Sequence, residues 1–183
     1  MTRCIHCTRC VRFGQEVAGI QELGTTGRSE DMEIGTYIER SIDHELSGNI
    51  IDLCPVGALN NKPYRYSARA WEMLAKPLVS PHDCAGSNLF GHVLRGSLKR
   101  VAPRDNESIN ETWIADRDRF SYEGIYAGDR LTAPMLKVKG DWLEVSWSRA
   151  ISEARDVLRT SVGDDGNRLG VLVSPSSTVE EMY

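Results

Sequence analysis

No apolar run in these 183 residues approaches the roughly eighteen needed to cross a bilayer. The opening residues also lack an apolar stretch after their charges, so they do not read as a secretory signal. Positive charge is short as well: 22 Lys and Arg stand against 26 Asp and Glu, a net −4, which argues against a general nucleic-acid binder. Cysteine is scarce and odd in number, at five. Without an export signal, cysteines that cluster read as metal ligands in a reducing compartment rather than as disulfides. Apolar content is 40%, on the low side but enough for a packed core, and the length suits one or two domains.

What is present is concentrated at the beginning. Cys4, Cys7 and Cys10 stand at C-x2-C-x2-C spacing in MTRCIHCTRC, and Cys54 follows far downstream with Pro55 directly after it. A tight triplet plus a distant Cys-Pro is the pattern of a cubane iron–sulfur cluster, one thiolate per iron. One short loop reaches three corners and the fourth comes from elsewhere, while the proline turns the chain away. Zinc is the rival, but zinc sites favour two separate C-x2-C knuckles or mixed cysteine and histidine pairs. His6 lies inside the triplet and reads as a neighbour, because four cysteines already complete the set. Arg3, Arg9 and Arg12 surround the triplet. They read equally as surface arginines or as cations that stabilise an anionic cluster and raise its potential.

Further along, residues 11–23 carry a short helical face of Val11, Val17 and Ile20, weakened by Gly14 and Gly19. Residues 24–44 alternate like a β-hairpin. Ser47-Gly48-Asn49 is a turn, with Asn49 a candidate cap for the segment entering Cys54, and one helical turn fits between Cys54 and Pro63. YRYSARAWEMLAK, residues 64–76, reads as a helix or an extended connector, ended by Pro77 and Pro81. A domain boundary is expected near residue 77. NLFGHVLRG and SLKRVAPR form a hairpin, and Trp113, Ile114, Phe120 and Tyr122 are core candidates. A second hairpin lies in residues 130–147. A helix from Ser148, capped by that serine, places Ala150, Ile151, Ala154, Val157 and Leu158 on one face and ends over 163–167. LGVLVSP reads as a buried strand of a parallel sheet, and a last helix starts at Ser176, Ser177 or Thr178. Both ends read as cuts through a larger protein, since a β-α-β-α pattern starts and stops and the first ligand stands at residue 4. The charge run Asp116-Arg117-Asp118-Arg119 reads as a solvated or salt-bridged helix face.

MTRCIHCTRCVRF, ELSGNIIDLCPVGAL and the Tyr-Arg-Tyr-x-Ala-Arg-x-Trp-Glu segment resemble the large iron–sulfur subunit of respiratory complex I, the NADH–quinone oxidoreductase. AGSNL, RVAPRDNESINETWIADRDRFSYEGI and DRLTAPML resemble the region after the cluster domain of that family, and GDWLEVSWSRAI and LVSPSSTVEEMY the start of its molybdopterin-oxidoreductase-like domain. The resemblance implies an α+β chain in three parts. Residues 1–76 form a small ferredoxin-like [4Fe–4S] domain. Residues 77–133 form a β-hairpin-rich segment of the degenerate Mo/W bis-MGD type, in which some relatives hold an extra cluster with four cysteines. Residues 134–183 are the truncated start of the α/β molybdopterin-oxidoreductase-like domain.

It further implies one [4Fe–4S] cluster on Cys4, Cys7, Cys10 and Cys54, which relays single electrons from NADH and flavin toward quinone within a proton-translocating complex. No molybdopterin is expected, and no catalytic side chain. Only Cys84 lies in the extra-cluster region, where it reads as a buried or idle thiol. The implied partners are the flavin-bearing NADH-oxidising subunit and the quinone-side iron–sulfur subunits, in the peripheral arm at the cytoplasmic face of the bacterial inner membrane, without direct membrane insertion. Two other readings compete: a fragment of a molybdenum-dependent formate dehydrogenase-like oxidoreductase, which would need cluster cysteines near residue 84, and a truncated, non-functional gene product. An iron-only hydrogenase shares the amino-terminal modules but does not fit residues 77–183.

Overall fold

A computed structural model describes residues 2–36, 41–163 and 168–183. The chain forms two compact units, Met1–Glu123 and Gly124–Tyr183, and mixes short helices with antiparallel strands in the manner of an α+β protein.

The first unit opens with helix α1 (Arg9–Arg12), which continues as a π-helical turn over Phe13–Ala18. The wider turn changes which side chains face inward. Val11, Phe13 and Gly14 are buried, while Val17 and Ile20 of the expected apolar face are exposed. Gly14 is required there, because a Cβ would stand 2.9 Å from the Ile20 carbonyl oxygen. Strands β1 (Leu23–Thr26) and β2 (Glu33–Thr36) pair antiparallel as the alternation predicts, with Leu23 and Ile34 turned inward. The end of the expected second strand, residues 37–40, lies outside the described residues. Helix α2 (Asn49–Leu53) follows and contributes Ile50. Val11, Phe13, Leu23, Ile34 and Ile50 make one core, with Cys4, Cys10 and Trp113 packed against it.

The expected helix over 64–76 does not form. Residues 62–67 are turns, Ala70–Glu72 is a single 3-10 turn, and β3 (Leu74–Val79) is a strand. Helical spacing alone could not hold it: of the expected face Tyr66, Ala70 and Leu74 are exposed and Met73 is buried, and Tyr66 takes the left-handed φ of 67°. The extended-connector alternative describes the segment better. The boundary expected near residue 77 falls within β3. Pro77 is accommodated because β3 is an edge strand, pairing only with β4 (Asn88–Leu94). β5 (Ser97–Pro103) completes the sheet through a two-residue turn, Arg95-Gly96, in which both residues have positive φ. Leu89, Val101, Ile114 and Tyr122 form a second core, and helix α3 (Asp116–Phe120) leads into it.

In the second unit β6 (Met135–Val138) and β7 (Asp141–Glu144) form the expected hairpin. Helix α4 (Trp147–Val162) is capped by Ser146, whose hydroxyl accepts the Arg149 N–H at 3.4 Å, two residues earlier than expected. It ends at Val162 with Gly163 as its C-cap, at the start of the expected stop over 163–167, of which 164–167 lie outside the described residues. Residues 169–174 are not a strand, and Val171, Leu172 and Val173 are exposed. A strand needs a neighbour for its N–H and C=O groups, and none of the described residues supplies one. Helix α5 (Val179–Met182) carries the capping box of Thr178 and Glu181. No helix among the described residues is long and apolar enough to cross a membrane.

Candidate metal centre

Cys4, Cys7, Cys10 and Cys54 line one small pocket in the first unit, together with Ile5, Arg9, Ile34, Val56, Ala58 and Leu59. The triplet is folded onto one side by backbone geometry. His6 and Thr8, two of the four residues between the cysteines, hold left-handed φ values of 54° and 59°. Two such turns in five residues coil the loop, a conformation non-glycine residues adopt only when the surroundings impose it. The Arg12 N–H donates to the Thr8 carbonyl at 2.9 Å and starts α1, so Cys10 sits on a helical turn.

Cys54 arrives from the other direction, as the residue that ends α2. Its own N–H donates back to the Ile50 carbonyl at 3.1 Å. Beyond it, the Ala58 and Leu59 N–H groups donate to its sulfur at 3.2 and 3.5 Å. The helical turn expected after Cys54 is replaced by this open loop, which aims its amides at the thiol. Burial pushes the Cys54 thiol up, but the N–H groups of Leu59, Val56, Ala58 and Gly57 outweigh it, and its pKa is lowered. Cys10 is raised, first by burial, with the charges of Cys7 and Cys4 adding to the shift against its backbone hydrogen bonds. The His6 N–H donates to Cys4 Sγ at 3.4 Å, and the imidazole is not among the pocket's lining residues.

This donor set fits an iron–sulfur cluster. Four thiols from two segments line one pocket, and backbone N–H groups aimed at sulfur, as at Cys4 and Cys54, are the usual support of cluster ligands. Among the described residues, no three His, Cys, Asp or Glu side chains converge closely enough to hold a single metal ion. Of the three nearby arginines, Arg9 lines the pocket, Arg3 lines a separate recess, and Arg12 is exposed. Cys84 is exposed rather than buried and lies outside the pocket.

The helix that delivers Cys54 is held by residues of the charge run that reads as a solvated or salt-bridged helix face: the salt bridge is present, to Asp52, but the run is not solvated throughout. Asp118 and Arg119 are buried, with Arg119 only 2% exposed. The Arg119 guanidinium donates to Asp52 at 2.6 Å and to Asn49 Oδ1 at 3.4 Å. Asn49, 1% exposed, accepts the Ile114 N–H at 3.1 Å and donates to the Ile114 carbonyl at 2.9 Å. It therefore ties two segments together instead of capping its own helix. Asp116 accepts the Gly48 N–H at 2.6 Å and the Ser47 hydroxyl. Asp118 accepts the Ser80 hydroxyl at 2.6 Å, and burial raises its pKa. The sequence signal was available in outline, since Ser47, Asn49 and Asp52 form a polar run opposite a charge run of both signs. Nothing local showed that the two runs meet.

A family model described as "NADH-quinone oxidoreductase subunit 3, ferredoxin-like domain" matches residues 1–60, and one described as "NADH-ubiquinone oxidoreductase NDSU1/NuoG-like, 4Fe-4S domain" matches residues 79–123. The NADH-ubiquinone oxidoreductase 75 kDa subunit of Reclinomonas americana is 50% identical over 152 residues, covering 83% of this chain and 22% of that protein. The G subunit of NADH-quinone oxidoreductase from Rickettsia felis is 46% identical over all 183 residues, and that from Rickettsia typhi also 46%, covering 27% and 26% of those proteins. The chain spans about a quarter of the length of these relatives.

Proposed function

Because this chain belongs to the family of the G subunit of NADH-quinone oxidoreductase and the NADH-ubiquinone oxidoreductase 75 kDa subunit, we propose that it is a one-electron relay of that complex. Cys4, Cys7, Cys10 and Cys54 hold one [4Fe–4S] cluster, which when bound supplies reversible one-electron exchange without bond chemistry at the protein. The observation that carries this reading is the gathering of all four thiols, from two distant segments, around one pocket. The chain's own part is to present the thiolates, to donate the His6, Ala58 and Leu59 N–H groups to their sulfurs, and to exclude water with Ile5, Ile34, Val56 and Leu59.

No second cluster is assigned to residues 79–123, where Cys84 is the one thiol. Residues 1–76 and 77–133 act as the cluster-binding and degenerate β-rich parts, and 134–183 as the beginning of a molybdopterin-oxidoreductase-like region without molybdopterin. Electrons pass from the NADH and flavin side to the quinone side through neighbouring iron–sulfur subunits, in the peripheral arm at the cytoplasmic face of the bacterial inner membrane.

Anaerobic reconstitution with iron and sulfide tests the reading. The full chain is expected to take up about four irons and to show a cubane EPR signal on reduction. Cys54→Ser is expected to lose most of that iron and Cys84→Ser to retain it. A colourless protein that binds one zinc, or equal loss in both variants, overturns the assignment.

A further inference from the structure

The first unit has a second recess, beside the cysteine pocket and sharing Ala58 with it. Three guanidinium groups line it, Arg3, Arg65 and Arg100, contributed by the opening residues, the turn after Cys54 and strand β5. Tyr64 and Tyr66 line it too, and no Asp or Glu is among its described lining residues, in a chain whose net charge is −4. Local charge therefore runs against the charge of the whole.

Two of the three cations, Arg65 and Arg100, are held in place. The Arg100 guanidinium stacks over the Tyr64 ring at 4.7 Å, and its Nε donates to His92 Nδ1 at 3.2 Å, which leaves its terminal nitrogens for a bidentate carboxylate. The Tyr64 hydroxyl donates to the Ala68 carbonyl at 2.8 Å and braces the turn. Arg65 donates to the Tyr66 hydroxyl at 2.8 Å. Tyr66 itself has a left-handed backbone and a side chain 90% exposed, an aromatic ring held outward at the cost of strain. Tethered cations that face no carboxylate, beside a presented aromatic, favour an anionic partner with some apolar surface.

We propose that this recess docks an acidic polypeptide segment of a partner protein, whose carboxylates pair with Arg3, Arg65 and Arg100 while its backbone lies against Tyr66. A polyphosphate is disfavoured because the nearest amide-rich loop is already committed: its Ala58 and Leu59 N–H groups point at Cys54 Sγ. The inference rests on the relay reading only for the partner's being an electron-transfer subunit. A segment seated here would touch Ala58 and so bring its own protein against the loop that supports Cys54.

The test is fluorescence anisotropy of a labelled octa-glutamate peptide, titrated with the full reconstituted chain at low salt, with cluster content followed separately by visible absorbance. Binding is expected, weakened about tenfold or more by Arg65→Glu, nearly restored by Arg65→Lys, and barely changed by Arg155→Glu, the same charge reversal on an exposed arginine of the second unit. No saturable binding, equal weakening by Arg65→Glu and Arg155→Glu, or displacement of the peptide by equimolar ATP overturns the proposal. Peptide binding that persists in a chain unable to assemble a cluster keeps the recess and counts against the relay. An intact cluster without peptide binding does the reverse.

Discussion

The two units of this chain carry the same kinds of local signal and use them differently. Each has a hairpin closed by a two-residue turn of positive φ, Arg95-Gly96 in the first and Lys139-Gly140 in the second. Each has a helix near an expected place, α1 in the first and α4 in the second, although the helix expected over 64–76 of the first does not form. In Met1–Glu123, however, two apolar cores are closed and five polar side chains, Asn49, Asn61, Ser80, Asp118 and Arg119, are buried. Among the described residues of Gly124–Tyr183 none is buried, and α4 leaves Ile151, Val157 and Leu158 at least half exposed. Local signals are thus enough to form hairpins and capped helices. Placing a site takes non-local partners, and only the first unit has them.

The sharpest way to break that contrast is Arg119→Ala. It opens a cavity under α2 and strips Asp52 and Asn49 of a shared donor, so a loss of about 2–4 kcal/mol is expected in urea denaturation of the first unit. Iron retention should fall with it, since α2 delivers Cys54. Full stability in that variant would show that the polar clamp does not hold the helix. Gly48→Ala comes next. An added Cβ would stand 2.6 Å from Asp116 Oδ1, which accepts the Gly48 N–H, and 2.7 Å from Cδ and Nε of Arg119, whose terminal nitrogen is held by Asp52 and Asn49. Overpacking of about 1–3 kcal/mol is expected, read as a lowered midpoint with an unchanged denaturant slope.

Asp118 gives a smaller, signed effect. Burial raises its folded pKa above the ordinary 3.8, so the folded state binds the proton more tightly than the unfolded chain. Its burial penalty is absent below the unfolded pKa and grows as pH rises from about 3.8 through the folded value. Asp118→Asn should remove that decline in a pH series of unfolding curves, and an unchanged profile would count against the burial. Smallest of all is Ile151→Ala on α4. Its side chain is largely exposed, so a shift within about 0.5 kcal/mol is expected. A core-sized loss there would mean that the second unit buries this face after all.

Much of the candidate site was legible in the chain. Cys4, Cys7 and Cys10 stand out because a multi-iron cluster needs several thiols at short spacing, and Pro55 sets Cys54 apart as the candidate fourth. Hairpins were legible for an equally local reason, alternation closed by turn residues. The helix expected over 64–76 failed because periodicity reports which faces a helix would have, not whether anything covers them. The strand expected at LGVLVSP failed because a β-strand is a pairing between segments. Val17 and Ile20 were misplaced because a π-helical turn shifts the face by a residue, and its cause, the Gly14–Ile20 approach, is invisible in an apolar pattern.

By itself, then, the sequence determined which thiols stand at cluster-like spacing and where the hairpins turn, because each depends on residue type within a few positions. Tertiary structure alone decided that Asp116 and Arg119 clamp Ser47, Gly48, Asn49 and Asp52, and that Asp118 turns inward to Ser80. It alone decided that Cys54 meets the triplet, and that three arginines from separate segments share one recess. Those outcomes depend on residues dozens of positions apart meeting in space, and a charge run reads the same in sequence whether water or a buried helix awaits it.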